Sequence, residues 1–151
     1  MAENIILCSF LGICSCYDLK LKKIPGWLLY TGILLGALYW GILKVSGQAG
    51  WLALPAGLLP GSMMLLYSYI TEGKLGTADG LLVLPAGLIQ QWQRCTAEIM
   101  AACLLIFLLA AGLLISRKGN RDTRIPFAPF FLAAVVLVWI IEAVFGVSVD
   151  K

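Results

Sequence analysis

The sequence contains no histidine and has few charged residues. Of its 151 residues, 13% are charged and 61% are hydrophobic. A soluble domain has about 25% charged and about 45–50% apolar residues. A single soluble core of this length could not bury so much apolar surface, so the composition predicts an all-α, polytopic membrane protein. We expect residues 1–151 to form a single transmembrane domain.

The absence of histidine excludes several kinds of catalytic and metal site. Ser-His and Cys-His catalysis, the His-Glu-x-x-His zinc helix and most zinc or haem sites all require it. The five cysteines lie in apolar runs without a Cys-x-x-Cys pair, which favours packing over metal binding. We therefore expect neither a metal nor a cofactor. A net charge of only +3, with scattered basic residues, argues against nucleic acid as a partner.

Windows with few charges predict six membrane helices. Pro25 and Pro126 begin two of them, and Pro55, Pro60 and Pro85 fall inside others, where they should kink the helix. A spanning helix needs about 20 residues, so the first and fourth windows, of 14 residues each, predict short helices. The windows are Asn4–Tyr17, Ile24–Leu43, Val45–Thr71, Gly80–Gln93, Cys95–Ser116 and Ile125–Val149. The pairs Gly32/Gly36 and Gly57/Gly61 have the GxxxG spacing that lets membrane helices approach closely.

The distribution of basic residues predicts the topology. Glu3 precedes the first apolar window and lysines follow it, which places the amino terminus outside. Six crossings then put eight basic residues inside and three outside, and both termini outside. The inner residues are Lys20, Lys22, Lys23, Lys74, Arg117, Lys118, Arg121 and Arg124, and the outer ones are Lys44, Arg94 and Lys151.

Four acidic residues lie within or beside the predicted helices. Glu98 and Glu142 fall near the outer surface, and we interpret them as side chains that extend to the interface. Asp18 ends the first window and Asp79 precedes the fourth, both at the inner boundary. Each has a structural explanation when taken alone. Asp18 could be an interfacial acid beside lysines, and Asp79 could cap the helix that begins at Gly80.

The sequence around Asp79 supports a catalytic interpretation as well. The segment 73–80 is rich in glycine and other small residues, so a peptide or another helix could approach the acid closely. Two carboxylates at one site cannot both ionise cheaply, and one keeps a proton while the other acts as a base. An aspartate pair is the proteolytic chemistry that a chain without histidine leaves open.

Three motifs resemble those of the type IV prepilin peptidases, membrane aspartic proteases of the Gly-x-Gly-Asp kind. Asp18 with Lys20, Lys22, Lys23 and Ile24-Pro25 resembles the family's first motif. Gly76-Thr77-Ala78-Asp79 resembles the Gly-x-Gly-Asp motif, with Gly80 next to it. Ile125-Pro126-Phe127-Ala128-Pro129-Phe130 resembles the proline-phenylalanine motif that opens the last helix. The order and spacing of the motifs make the resemblance span about the whole chain.

The resemblance implies a specific activity. Asp18 and Asp79 would be the catalytic pair, with Gly76, Ala78, Gly80, Lys20, Lys23 and Pro25 as supporting residues of the motifs. The substrate would be a pilin-like precursor, prepilin or pseudopilin, cut between a short polar leader and an apolar helix. Cleavage would take place at the cytoplasmic face of a bacterial cytoplasmic membrane. The chain lacks the cysteine-rich insertion of bifunctional members, which implies a peptidase without N-methyltransferase activity.

The sequence also departs from the family pattern. Ala78 replaces the second glycine of its motif, Gly26 follows Ile-Pro where asparagine is common, and Leu81 stands where lysine is common. Ala78 is expected to restrict the backbone beside Asp79, which motivates one alternative, an inactive relative acting as a membrane scaffold. A small transporter is a second alternative, because Leu54–Leu58 recurs as Leu84–Leu88 in helices of opposite predicted direction.

Overall fold

The computed structural model describes residues 2–21, 23–47, 50–71, 76–116 and 126–146. Over these ranges the chain forms five α-helices, each long and apolar enough to cross a membrane. Large apolar side chains such as Leu34 and Phe107 are exposed on their outer faces, as expected of helices surrounded by lipid. The protein is therefore an all-α, polytopic membrane protein. The helices are α1 Ala2–Leu21, α2 Gly26–Val45, α3 Ala53–Ile70, α4 Thr77–Ile115 and α5 Phe127–Phe145.

The described residues contain five helices, which differs from the prediction of six. The predicted fourth and fifth helices are both parts of α4, which is 39 residues long. Gln91 interrupts α4 with the non-helical angles φ 67° and ψ 165°. A Cβ placed on Gly87 would lie 3.6 Å from the Sγ of Cys95. Eight residues of a straight helix rise about 12 Å, so the chain folds back at Gln91 and α4 consists of two arms.

The prediction of a short first helix is wrong. Helix α1 has 20 residues and continues past Tyr17 to Leu21. The charge-free window ended at Asp18 because a charge was taken as the limit of the membrane helix. In the structure Asp18 is buried against α5, while Lys20 is exposed on the same turn. Both side chains therefore fit within one regular helix.

The predicted positions of the prolines relative to the helices are confirmed for four residues and wrong for one. Pro25 and Pro126 are the residues that cap α2 and α5 at their amino ends. Pro60 and Pro85 lie inside α3 and α4, as expected. Pro55 lies in the first turn of α3 instead of its interior, because that helix begins at Ala53. In the first turn of a helix a backbone N–H has no partner within the helix, so a proline at that position loses no hydrogen bond.

Glycines mark the places where the helices approach each other most closely. Helix α4 contacts each of the other four helices. Gly57 and Gly87 bring the backbones of α3 and α4 together, since a Cβ on Gly57 would lie 2.5 Å from the carbonyl oxygen of Gly87. Gly61 contacts α4 in the same way, and Gly32 and Gly36 bring α2 against α1 and α4. The GxxxG pairs are thus packing positions, as predicted.

Candidate active site

Asp18 lies in the last turn of α1 and contacts the beginning of α5. Its side chain is buried, with 9% of the residue exposed. One carboxylate oxygen accepts a hydrogen bond of 3.1 Å from the backbone N–H of Ala128. Ala128 is in the first turn of α5, where backbone N–H groups have no partner within the helix. The Asp18 carboxylate therefore caps α5 at the end where the helix dipole favours negative charge.

Asp79 lies in the first turn of α4 and is half-buried. The prediction that Asp79 caps a helix beginning at Gly80 is wrong, because the capping position belongs to Gly76. The Asp79 N–H donates a hydrogen bond of 3.0 Å to the carbonyl oxygen of Gly76. The side chain of Asp79 turns back over the same glycine, since a Cβ on Gly76 would lie 2.9 Å from its Oδ2. Gly76 thus provides the space that the Asp79 carboxyl occupies.

Asp18 and Asp79 are close enough for the charge of one to act on the other. They come from α1 and α4, which are in contact. Both side chains are near the amino end of a helix. Asp79 belongs to the first turn of α4, and Asp18, which belongs to α1, contacts the first turn of α5. A hydrogen bond to a charged oxygen contributes about 1.5–3 kcal/mol, whereas a helix dipole alone contributes about 0.3–1 kcal/mol. When two acids interact and one of them keeps a proton, they can act as an acid and a base.

The small residues beside Asp79 lie in regular helix. Ala78 has helical backbone and packs against the apolar core. The expectation that alanine restricts the backbone at this position is therefore wrong, because a helical residue needs no glycine and alanine is the best helix former. Gly80 is different, since a Cβ there would lie 2.8 Å from the Cγ of Leu65. Gly80 allows α3 to pack against the turn that carries Asp79.

The remaining residues of the first motif lie around the end of α1. Lys20 and Lys23 are exposed, and Pro25 caps α2 while its carbonyl accepts a hydrogen bond of 3.0 Å from the Leu28 N–H. The two lysines present positive charge beside the site without being buried in it. The other basic residues of the predicted inner segments lie outside the described residues, namely Lys22, Lys74, Arg117, Lys118, Arg121 and Arg124.

A second polar cluster, inside the bundle, was not predicted as a group. It joins α1, both arms of α4 and α5. Arg94 pairs with Glu142 at 2.6 Å between Nη2 and Oε2, and its Nε lies 3.7 Å from an oxygen of Glu98. Exposure is 6% at Arg94 and 0% at Glu98. Glu98 therefore does not extend to the interface, and the sequence interpretation of this glutamate is wrong, whereas Glu142 is partly exposed.

The amides of Asn4 and Gln90 complete this cluster. They lie 3.1 Å apart, and both residues are buried. When both amides are oriented so that donors face acceptors, Gln90 donates to the two Glu98 oxygens at 2.8 and 2.7 Å. Asn4 then accepts from the Trp139 indole N–H at 3.1 Å. One signal in the sequence was available, since Arg94 and Glu98 stand four residues apart and would therefore lie on one face of a helix.

Comparison with known protein families gives a match for most of the chain. A family model described as the type IV leader peptidase family matches residues 5–116. This range includes Asp18 and Asp79 and ends before α5. Searches of the curated proteins and of the solved structures found no match.

Proposed function

Since the chain belongs to the type IV leader peptidase family, we propose that it is a membrane aspartic endopeptidase with Asp18 and Asp79 as its catalytic pair. Its substrates would be pilin-like precursors, from which it removes the leader peptide. The observation that carries this proposal is that the family match covers both acids and that the helices holding them, α1 and α4, are in contact.

The proposed reaction needs only the two carboxyl groups and water. One carboxylate takes a proton from water while the water oxygen bonds to the scissile carbonyl carbon. The second, protonated carboxyl gives its proton to the carbonyl oxygen as the carbonyl carbon becomes tetrahedral. The leaving amine then takes a proton as the C–N bond breaks. The arrangement thus supports peptide hydrolysis without a metal or a cofactor.

We place the reaction at the cytoplasmic face of a bacterial cytoplasmic membrane. Asp18 lies near the end of α1 and Asp79 near the start of α4, so both belong to the side that carries the excess of basic residues. A short polar leader would reach this boundary from the cytoplasm, and the apolar helix of the precursor would remain in the bilayer. With six crossings, both termini would be outside.

Co-expression with candidate pilin-like precursors tests the proposal. Leader removal should occur with the parent chain and be lost with Asp18→Asn and with Asp79→Asn. Because a catalytic pair acts as a unit, the double variant should be no worse than either single one. Glu3→Gln, which removes an acid at the other end of α1, serves as the control and should keep cleavage. Cleavage by both aspartate variants would contradict the proposal.

The structure favours this function over the two alternatives. The argument for an inactive scaffold depended on a strained Ala78, and that residue has ordinary helical backbone. The argument for a transporter depended on the repeated segments Leu54–Leu58 and Leu84–Leu88. Their glycines, Gly57 and Gly87, contact each other where α3 meets α4. The repeat is therefore explained by helix packing.

A further inference from the structure

The contact between Asp18 and Ala128 distinguishes the two acids of the site. It joins residues 110 positions apart and brings the last helix of the chain to the carboxylate. The donor is a backbone N–H, so the contact does not depend on the side chain of Ala128. Ala128 itself has 0% exposure, which keeps water away from this hydrogen bond.

We propose that the amino end of α5, acting through the Ala128 N–H, is a positioning group that keeps Asp18 as the charged member of the pair. Asp18 is then the base that takes the proton from water, and Asp79 is the acid that carries a proton to the scissile carbonyl. This assignment rests on the proposed peptidase function and adds the division of roles within it.

Asp79 also lies near a helix amino end, so the two effects must be compared. Its position in the first turn of α4 exposes it to the dipole of that helix. Asp18 has, in addition to a helix dipole, a direct hydrogen bond to a backbone donor. A hydrogen bond to a charged oxygen contributes more than a dipole acting without one. Because the two acids interact, charge held on Asp18 keeps the proton on Asp79.

Other titratable groups near Asp18 do not reverse this assignment. The thiol of Cys14 interacts with Asp18 from one turn earlier in α1 and is buried. The first turn of α5, residues 127–130, has no charged side chain. Within the part of the chain that the structure describes, the groups to be considered are Cys14 and the exposed Lys20 on α1, Asp79 on α4, and the exposed Lys23 before α2. The lysines favour the same charged state of Asp18.

With these roles for the two acids, every proton and electron pair is accounted for through the whole reaction. Asp18 takes a proton as the water oxygen bonds to the carbonyl carbon, and the carbonyl electrons move to oxygen, which takes the proton of Asp79. When the C–N bond breaks, the amine takes the proton held by Asp18, and the oxygen returns its proton to Asp79. Both acids thereby regain their starting states.

Replacement of the N–H donor tests the proposal through the pH dependence of cleavage. Ala128→Pro removes the donor in a first turn, where proline is tolerated and where Pro129 already follows. Ala128→Gly keeps the donor and is the matched control. We expect the acidic limb of the kcat/KM profile to move toward neutral pH by about one unit in Ala128→Pro. Ala128→Gly should keep this limb where the parent has it.

An acidic limb unchanged by Ala128→Pro in a folded protein would overturn the proposal. If the proline variant does not fold, a backbone ester at position 128 removes the N–H while keeping the alanine side chain, and the same shift is expected. A second measurement does not need cleavage. In an Asp79→Asn background, infrared spectroscopy should show Asp18 taking up its proton at higher pH when the donor is removed. Absence of cleavage by the parent would contradict the proposed function, whereas an unshifted infrared titration would contradict this inference alone.

Discussion

Arg94 and Glu142 form an ion pair of 2.6 Å between α4 and α5. This pair and the Asp18–Ala128 hydrogen bond hold α5 near its two ends. Helix α1 is held in the same way, by Asn4 near its start and by Asp18 near its end. The polar cluster therefore fixes α1 and α5 at the ends that lie away from Asp18 and Ala128.

Replacement of Arg94 should destabilise the protein strongly. Arg94→Met would remove the guanidinium from between the buried Glu98 and the partly exposed Glu142. Loss of one partner from a buried ion pair costs about 3–5 kcal/mol. Thermal unfolding in detergent measures this loss. Arg94→Met combined with Glu142→Met should recover part of it, because an apolar pair leaves fewer unpaired charges. Equal stability of the parent and Arg94→Met would show that the cluster contributes little.

A glycine at position 91 should stabilise the protein. Gln91 has φ 67° and ψ 165°, a conformation that is almost restricted to glycine and costs about 1–3 kcal/mol in other residues. Its side chain is exposed, so its removal loses little packing. Gln91→Gly should therefore raise the thermal unfolding temperature. Gln93→Gly, two residues later in regular helix, is the control and should lower it, at a cost of about 1 kcal/mol. A decrease in both variants would exclude strain at Gln91.

The sequence was sufficient for features that depend on local residue type. The aspartates stood out because charged residues are rare among apolar helices, and the GxxxG pairs were recognisable by spacing. Each aspartate lies where the motifs placed it, near the end of α1 and near the start of α4. The boundary between helix and loop was harder to predict, since Ala78 was expected outside regular helix and lies within it.

Features that depend on contacts between distant backbones could not be predicted. The partner of Asp18 is the N–H of Ala128, a group that every residue except proline has, so nothing in the sequence marks it. The windows predicted that the chain reverses at about Arg94, but nothing marked Gln91 as the position of the fold-back, because glutamine has no turn preference. The burial of Glu98 depends on Gln90 and Arg94 from the opposite sides of that fold-back. These are consequences of tertiary packing.

Reporter fusions should distinguish six crossings from five. The first arm of α4, residues 77–90, is on the order of 20 Å long at about 1.5 Å per residue, and the fold-back reverses the chain after it. A fusion after residue 48 should then report the outer side and a fusion after residue 118 the inner side. A single straight crossing by α4 would put both on the same side. Agreement between the two reporters would therefore contradict the topology with both termini outside.

Gly76→Ala should reduce cleavage while leaving the fold intact. The backbone of Gly76 has φ −62° and ψ 126°, which alanine adopts without strain. The added Cβ would lie 2.9 Å from the Oδ2 of Asp79, closer than two such atoms can remain. Because that oxygen is the end of a side chain, the carboxyl would rotate away and the helix would stay in place. A misplaced catalytic group costs on the order of 100-fold in rate.

Gly112→Ala is the matched control for this change. It adds the same methyl group to α4 at a position where nothing lies within 4 Å, so cleavage should be kept and stability should rise slightly. Cleavage rates on one precursor at equal amounts of protein, with thermal unfolding of each variant, separate an effect on the site from an effect on the fold. A Gly76→Ala variant that cleaves as fast as the parent would show that the position of the Asp79 carboxyl over Gly76 is not the one used in the reaction.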